Sequence, residues 1–363
     1  MADGVAELCR QPKGRRNAPA ECKPGYMNSS SIEHPDRTGL SAPRRVIVLG
    51  GTSFIGRAVT ELLVSQGHQV MVVHRGQTEP PDLPPVRHLH AERVDLPRHR
   101  DEIADFAPDA AVEVYGMNGR HADAALEALP EDIRLVALSS GDVYRAFESL
   151  HTGRQTDALP LTETAALRQT RFVSGPDDEN LEVEERYLRR GGTILRLGAV
   201  YGPHDYQRRY EFILRRLRAG RRRIPIGSGG FLFSKVYAPD VAAAVGLALA
   251  NDGVTGQVFN IVEGATAPFR LLAQQILDAA GASDTELVRV ADESLPSDLA
   301  LTGAISQHLL LDSTKARNVL GWRETDPDQA LMVSVAWHLD NPPHQSSVDF
   351  NADDAALETG GIS

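Results

Sequence analysis

A glycine-rich segment carries the clearest potential for chemistry in this sequence. Residues 45–57 read R-V-I-V-L-G-G-T-S-F-I-G-R, so an apolar run leads through a glycine turn into helical spacing. Such a turn lets the backbone approach a pyrophosphate, which the N–H groups and dipole of the following helix hold. The motif is G-G-x-x-x-x-G rather than G-x-G-x-x-G, and an ordinary tight turn is the alternative interpretation. The residues expected to contact a dinucleotide are Gly50, Gly51, Thr52, Ser53, Phe54, Ile55 and Gly56.

The next two predicted strands indicate where the adenosine half of such a cofactor would bind. The second strand, residues 69–73, is followed by H-R-G. An acidic residue there would bind the 2′-hydroxyl of NAD, whereas an arginine can pair with the 2′-phosphate of NADP. Arg75 therefore favours NADP over NAD, although a solvated loop arginine would look the same. Asp95 and Leu96 follow the third strand and are expected beside the adenine, where Asp95 accepts from the amino group or alternatively caps a helix.

The elements that must position these residues alternate between strand and helix. Apolar runs predict strands near residues 46–49, 69–73, 86–90, 110–115, 135–138 and 193–200, with helices in most of the intervals. This alternation predicts an α/β fold with a Rossmann-type, doubly wound parallel sheet, whose fourth strand delivers Tyr115 and Gly116 to the cofactor. Residues 146–178 are expected to form a loop, and residues 206–219 a basic helix.

Composition divides the chain into four parts. Residues 1–43 are rich in Pro, Gly, Ser and charge, which predicts a disordered leader. Residues 343–363 carry four acidic side chains and no Lys or Arg, which predicts a disordered acidic tail. Between them, residues 44–200 are expected to form an NAD(P)-binding domain that parts of 239–262 complete. Residues 201–342 are expected to form mainly a smaller α/β substrate-binding region.

Charge and cysteine content limit the classes of function. The 363 residues carry a net charge of −11, which does not favour nucleic acid or membrane surfaces as partners. No apolar run approaches the ~18–20 residues of a membrane span, and no apolar signal-peptide core is found near the N-terminus. Both cysteines, Cys9 and Cys22, lie in the leader, so we expect no disulfide framework and no metal site. A cytoplasmic protein with a small-molecule substrate is the simplest expectation.

Five motifs, in order, make the chain resemble an extended short-chain dehydrogenase/reductase of the NAD-dependent epimerase/dehydratase family over about residues 44–342. They are G-G-T-S-F-I-G with V-H-R-G, A-L-S-S-G-D-V-Y, R-L-G-A-V-Y-G-P-H-D, V-Y-A-P-D-V-A-A-A-V and L-D-S-T-K-A-R-N-V-L-G-W. The first resembles an atypical branch that includes the chloroplast stem-loop RNA-binding proteins. The resemblance implies a nucleotide-binding Rossmann domain with a C-terminal substrate domain over the cleft, and often a homodimer.

The resemblance also implies a Tyr-x-x-x-Lys pair, in which the tyrosine exchanges a proton with the substrate and the lysine lowers its pKa. This sequence departs from that pattern. The lysine position falls on Asn180 and the tyrosine position on Pro176, and residues 173–185 contain neither Tyr nor Lys. Other groups must therefore move protons if the protein is an enzyme.

The resemblance indicates three candidates for that chemistry. Ser140 matches the serine that hydrogen-bonds the substrate oxygen, or else is a satisfied strand-end hydroxyl. Asp142 stands where sugar-nucleotide dehydratases of the family can hold an acid/base residue, or else is a turn aspartate. Tyr144 would be a phenol at the cleft mouth, or else a packing residue. Tyr115 could supply the missing phenol or block part of the pocket.

Basic groups in the C-terminal half leave further alternatives open. Lys235 either faces the substrate cleft or only water, and His204 titrates near neutrality or is merely solvated. Residues 215–223 contain six arginines, which could grip a diphosphate or a carboxylate, or form a solvated face or an oligomer contact. Phe233 stands where sugar-nucleotide enzymes of the family usually carry an arginine, which weakens that substrate class.

These observations support three interpretations of function. The first is an NAD(P)-dependent oxidoreductase or epimerase acting on a hydroxyl or keto group of a small polar, sugar-like or natural-product substrate. It would use a non-standard acid/base set. The second is a non-catalytic NAD(P)-binding sensor or partner protein that lacks the acid/base pair. The third, which the acidic charge disfavours, is an RNA-binding protein.

Overall fold

The computed structural model describes residues 44–343 and 349–359, so the predicted disordered leader lies outside the described residues. The strands are Arg45–Leu49 (β1), Gln69–His74 (β2), Arg87–His90 (β3), Ala110–Glu113 (β4), Arg134–Ser140 (β5), Thr193–Leu197 (β6), Ala199–Tyr201 (β7), Arg223–Ile226 (β8), Lys235–Tyr237 (β9), Val258–Ile261 (β10) and Glu286–Arg289 (β11). The α-helices are Phe54–Ser65 (α1), Arg100–Phe106 (α2), Gly119–Ala128 (α3), Arg145–Thr152 (α4), Asn180–Arg189 (α5), Glu211–Arg218 (α6), Ala238–Ala250 (α7), Phe269–Ala279 (α8), Pro327–Asp340 (α9) and Asn351–Glu358 (α10).

Seven strands form one parallel sheet in the order β3-β2-β1-β4-β5-β6-β10. The chain adds β2 and β3 on one side of β1, then returns to add the remaining strands on the other side. The reversal between β1 and β4 is the point at which doubly wound sheets bind ligands, beyond the carboxyl ends of their strands. The predicted Rossmann-type sheet is confirmed.

Strand β1 shows why the sheet is covered on both faces. Val46 and Val48 contribute to one apolar cluster with residues of α1 and α7, whereas Ile47 and Leu49 contribute to a second with residues of α3 and α5. All four side chains are at most 1% exposed. Each buried aliphatic side chain stabilises the fold by about 1.5–3 kcal/mol. The uninterrupted apolar run therefore predicted the burial of this strand correctly.

The residues after β6, apart from α7 and β10, build a smaller α/β region. Strand β7 pairs with β9, β8 pairs with β11, and both pairs are parallel. Helices α6, α8 and α9 meet in a separate apolar core around Ile213, Leu277 and Val335. The division of the chain at residue 200 into cofactor and substrate regions stays a prediction.

Three local predictions were wrong. The apolar stretch 193–200 is two strands in different sheets, because the backbone breaks at Gly198, where a Cβ would lie 2.4 Å from the carbonyl oxygen of Ser234. The expected loop 146–178 begins with α4, which buries Phe147 and ends at Gly153 with φ +68°. The basic helix is shorter than 206–219, because Asp205 accepts hydrogen bonds from two backbone N–H groups of a preceding turn.

The tail predicted to be disordered contains the ordered helix α10. Asp353 is 1% exposed and accepts two hydrogen bonds from the guanidinium of Arg216, at 2.6 and 2.8 Å. Ala356 packs with Val288 and Val290. The acidic residues are therefore partners of a basic helix rather than a solvated run. Residues 344–348 and 360–363 lie outside the description.

Within residues 44–343 and 349–359, no helix combines the length and the apolar character that crossing a bilayer needs. This agrees with the absence of a long apolar run in the sequence.

Candidate cofactor site and active site

The glycine turn brings the end of β1 against the start of α1. Gly50 has φ +95°, and a Cβ on Gly56 would lie 1.8 Å from the carbonyl oxygen of Gly50. Thr60 donates a hydrogen bond to the carbonyl oxygen of Gly51 at 2.9 Å, which holds the turn to the helix. Ser53 makes no side-chain cap to the first turn of the described helix, and that turn carries no acidic residue. First-turn N–H groups without a side-chain cap have the chemistry to bind an anion, so the predicted cofactor contact at this turn stays a prediction.

The adenosine-side residues are only partly where the sequence predicts them. Arg75 is exposed directly after β2. Asp95 lies in the 3₁₀ helix Arg93–His99 and forms an ion pair with Arg98 at 2.9 Å. Leu96 is fully buried in the core on one sheet face, so its backbone rather than its side chain is available to a cofactor.

A buried ion pair that was not predicted from the sequence lies beside the glycine turn. Arg93 donates to Glu113 at 2.8 Å, and an ideal Cβ on Gly50 would lie 3.8 Å from the same guanidinium. Glu113 ends β4 and also accepts from Tyr187 Oη at 3.0 Å and from the Tyr115 N–H at 3.1 Å. Burial raises the pKa of Glu113, and Arg93 opposes that shift. A single glutamate closing the otherwise apolar strand β4 was the available signal.

Ser140 and Asp142 occupy the end of the neighbouring strand, β5. The Asp142 N–H donates to Ser140 Oγ at 3.2 Å, which starts a 3₁₀ turn. The Asp142 carboxyl is buried and accepts from Asn180 Nδ2 at 3.0 and 3.1 Å and from Ser174 Oγ at 3.3 Å. Because β1, β4 and β5 are adjacent and parallel, this carboxyl lies at the same sheet edge as the glycine turn.

Two neighbouring carboxyls, those of Asp142 and Asp178, have pKa values well above the ordinary value of aspartate. Burial, with a smaller contribution from Asp178, raises the pKa of Asp142 to about 7, and Arg168 opposes the shift. Burial, followed by the charge of Glu179, raises the pKa of Asp178 to about 6. Both groups can therefore exchange protons near neutrality, which is the property required of a general acid or base. The sequence analysis did not identify Asp178.

Three aromatic side chains line the opening beside the glycine turn. Phe54 meets Tyr206 edge to face, with ring centroids 6.0 Å apart. Tyr115 is 38% exposed and lies close enough to Tyr206 and Asp178 for electrostatic interaction with both. Burial, together with those two neighbours, raises the pKa of Tyr115. Its phenol therefore stays protonated and is available as a hydrogen-bond donor. Gly116 follows, and a Cβ there would lie 3.1 Å from the Glu113 side chain.

Comparison with known proteins now identifies the family. A model of the NAD dependent epimerase/dehydratase family matches residues 46–262, which include the glycine turn, Ser140 and Asp142. The chain belongs to this family. The resemblance found in the five sequence motifs is thus confirmed, together with the fold it implied.

Individual relatives differ in what their names describe. The chloroplast stem-loop binding protein of 41 kDa b from Arabidopsis thaliana is 27% identical over 337 residues, covering 87% of this chain and 85% of that protein. The 2′-dehydrokanamycin reductase of Streptomyces kanamyceticus is 28% identical over 246 residues, covering 65% and 67%. Among solved structures, a Thermotoga maritima UDP-glucose 4-epimerase with UDP-glucose has a TM-score of 0.66 at 20% identity, covering 82% of this chain and all of that one. A Bacillus anthracis dTDP-glucose 4,6-dehydratase with NAD has a TM-score of 0.65 at 17% identity, covering 82% and 97%.

The start of α5 contains the two residues that the sequence analysis predicts at the positions of the usual catalytic pair. Pro176 lies before the helix, and Asn180 is its first residue. The Asn180 side chain donates to both oxygens of Asp142, so an asparagine–aspartate contact occupies this part of the pocket. Glu179 caps the helix by accepting from the Leu181 N–H and is held by Arg168 at 2.8 and 2.9 Å.

Of the two alternatives for Tyr144, packing agrees with the structure, because the side chain is fully buried rather than at the cleft mouth and its hydroxyl donates to Asn260 Oδ1 at 2.6 Å. The expectation for Lys235 was wrong. Lys235 is directed to Glu263 rather than to the cleft or to water, and Glu263 also accepts from Tyr201 at 2.6 Å. Both phenols therefore stabilise packing.

The arginine run does not offer free cations. Each of its six guanidiniums forms an ion pair within the described chain. Arg215 pairs with Asp298, and Arg216 pairs with both Asp298 and Asp353. The other pairs are Arg218 with Glu211, Arg221 with Asp354, Arg222 with Asp284, and Arg223 with Glu286. His204 packs against Trp337, with ring centroids 4.8 Å apart. A diphosphate grip by this run is not supported.

Proposed function

We propose that this chain is an NAD(P)-dependent oxidoreductase or epimerase that acts on a hydroxyl or keto group of a small polar, sugar-like or natural-product molecule. The observation that carries the proposal is the Asp142 carboxyl. It is buried at the sheet edge that holds the glycine turn, it is oriented by Asn180, and its pKa of about 7 suits proton exchange with a substrate oxygen.

The residues of the glycine turn fit a dinucleotide. Gly50 and Gly56 let the turn pack directly on α1, whose first-turn N–H groups would hold the pyrophosphate of a dinucleotide. Arg75 would pair with a 2′-phosphate, which favours NADP, although the solved relatives named above include one with NAD. When bound, the nicotinamide would accept or donate a hydride at the substrate carbon.

In this proposal the chain supplies orientation and proton transfer. Ser140 would donate a hydrogen bond to the reacting oxygen, since its hydroxyl lies at the end of β5 beside Asp142. Asp142 would give or take the proton at that oxygen, and Asn180 keeps its carboxyl in place. The protonated phenol of Tyr115 would serve as a further donor at the cleft opening.

Replacement of the titrating carboxyl tests this role. We expect Asp142→Asn to lower kcat at least about 100-fold, because an amide keeps the shape but does not exchange the proton. NADPH oxidation with a panel of small ketones and keto-sugars would be followed by absorbance, with NADPH binding measured in parallel. Asp105→Asn, an exposed aspartate on α2, is the matched control. Unchanged kcat in the Asp142 variant would remove this residue from the mechanism.

The second candidate is a protein that binds NAD(P) without catalysis. What favours it is that residues 173–185 contain neither Tyr nor Lys, and that the sequence resemblance predicts Pro176 and Asn180 at the positions of the family's tyrosine and lysine. The same experiment separates the two, because a sensor would bind NADPH and show no turnover with any carbonyl of the panel. A homodimer that includes α5 and a cytoplasmic location stay predictions.

A further inference from the structure

A second group of side chains with ligand chemistry lies beside Arg75. Strands β2 and β3 are parallel, and their register places His74 directly opposite His90. His88 is two residues before His90, so it projects from the same face of β3. Glu79 reaches the group from the loop that follows β2. Three imidazoles and one carboxylate therefore converge at one corner of the sheet.

The donor atoms of this cluster lie close enough together for small side-chain shifts to arrange them around one ion. His74 Nε2 lies 2.8 Å from His88 Nδ1 and 3.5 Å from Glu79 Oε1, and His90 Nε2 lies 2.5 Å from the same oxygen. One donor atom from each of the four residues lies within 4.8 Å of all the others. Donors around a tetrahedral zinc ion, with bonds of about 2.0–2.1 Å, are about 3.3 Å apart.

We propose that one divalent metal ion such as Zn²⁺ binds to four side chains together, those of His74, Glu79, His88 and His90. Imidazole nitrogen with a carboxylate oxygen is a ligand set that suits zinc, and four protein ligands complete its tetrahedral shell. His74 is buried and supplies a fixed ligand, whereas the other three side chains are exposed and can move to reach bonding distance. A metal site was not predicted from the sequence, because only the cysteines were considered as metal ligands.

Binding requires one local rearrangement. In the metal-free arrangement the Gly76 N–H donates to His74 Nδ1 at 3.1 Å, which places the proton of a neutral ring on Nε2, facing His88. A metal ion at Nε2 displaces that proton, and a proton is then needed at Nδ1. The Gly76 amide must therefore turn away. Gly76 is exposed and has φ +71°, so the peptide can rotate toward water.

This rearrangement couples the ion to the neighbouring residue. Arg75 lies between a ligand and the peptide that must turn, so a bound ion would fix the loop that carries its guanidinium. This consequence rests on the proposed function, in which Arg75 meets the 2′-phosphate of NADP. The metal site itself does not depend on cofactor binding and is tested without it.

The test uses full-length protein without a histidine tag, treated with a chelator and then titrated with Zn²⁺ by calorimetry. Co²⁺ is a second probe, because its absorption reports tetrahedral coordination. We expect one equivalent of Zn²⁺ per chain. His88→Ala with His90→Ala should weaken binding by at least about 100-fold, and Glu79→Gln by about tenfold. The matched control is His99→Ala with Glu102→Gln, a neighbouring histidine–glutamate pair at 3.6 Å outside the cluster.

The variants change exposed or partly exposed residues, so circular dichroism is expected to show unaltered folding in each. A tetrahedral Co²⁺ spectrum that is absent from the His88/His90 variant and present in the control would support the site. Three results would overturn the proposal. They are no saturable Zn²⁺ binding at micromolar concentrations, wild-type affinity in the His88/His90 variant, and an equal loss of affinity in the control.

Discussion

At the residue scale, the informative feature is a buried carboxyl, that of Asp142, which forms no ion pair within the described residues. The Asp142 side chain accepts hydrogen bonds from Asn180 and Ser174, both neutral, while Arg168 donates to its backbone oxygen. Hydrogen bonds alone do not compensate for removing a carboxylate from water, so burial dominates its pKa. A lysine at position 180 would have kept the carboxyl ionised. The asparagine there therefore changes the acid/base chemistry of the pocket.

This shift makes stability depend on pH in a defined direction. The folded-state pKa of Asp142 is about 7, above the ordinary aspartate value of about 3.9. The folded state therefore holds a proton that the unfolded chain releases, and the resulting stability is complete below about pH 4 and lost as pH rises through 7. Asp178, with a pKa of about 6, adds a smaller effect of the same sign.

We expect Asp142→Asn to reduce this decline, because the amide cannot ionise. At pH 8 the variant should be more stable than the wild type by up to about 4 kcal/mol, and the two should converge toward pH 4. Urea unfolding at a series of pH values would measure the difference. Asp105→Asn should follow the wild-type curve, and a wild-type slope in the Asp142 variant would show that this carboxyl is ionised throughout.

At the element scale, the unit that defines the cofactor site is β1, the glycine turn and α1. Its geometry depends on direct backbone contact between Gly50 and Gly56, which no side chain can enter. Local pattern was enough to predict this unit, because the apolar run, the glycines and the helical spacing are contiguous in the sequence.

We expect Gly56→Ala to abolish NADPH binding and to destabilise the protein by several kcal/mol, of the order found for overpacked cores. The added methyl would lie 1.8 Å from a backbone carbonyl oxygen, so the helix must move away from the turn. Gly230→Ala is the matched control, because its Cβ would meet no atom within 4 Å. Fluorescence titration and thermal unfolding would measure both effects. Wild-type NADPH affinity in Gly56→Ala would contradict the assigned geometry.

The features that the sequence did not reveal depend on partners far away in the chain. The break at Gly198 is imposed by the backbone of Ser234, and the burial of Tyr144 by Asn260. The metal-ligand cluster depends on the register between β2 and β3, which a pattern of single residues does not specify. The pKa of Asp142 depends on burial, which its position in a turn motif could not indicate.

At the scale of the whole molecule, charge is organised as internal pairs. The basic residues of α6 and of the segment that follows it bind acidic residues of the C-terminal half, including two in α10. These arginines are thus neutralised within the described chain and offer little charge to a polyanion. The RNA-binding interpretation of the sequence would therefore require a surface other than this run.

The docking of α10 can be tested by removing one buried charge. We expect Asp353→Asn to destabilise the protein by about 1–3 kcal/mol, because Arg216 loses a charged partner while Asp298 remains. Asp354→Asn is the control, since its exposed pair with Arg221 is screened by solvent and should contribute much less to stability. Urea denaturation measures both values. Equal effects of the two variants would show that α10 is not held by the buried pair.

The proposed function requires that the glycine turn bind a nicotinamide dinucleotide. The most direct measurement is titration of the full-length protein with NADPH and NADH, followed by cofactor fluorescence. We predict saturable binding with sub-millimolar dissociation constants, tighter for NADPH than for NADH, and loss of that preference in Arg75→Ala. Absence of binding by both cofactors at millimolar concentration would contradict the account.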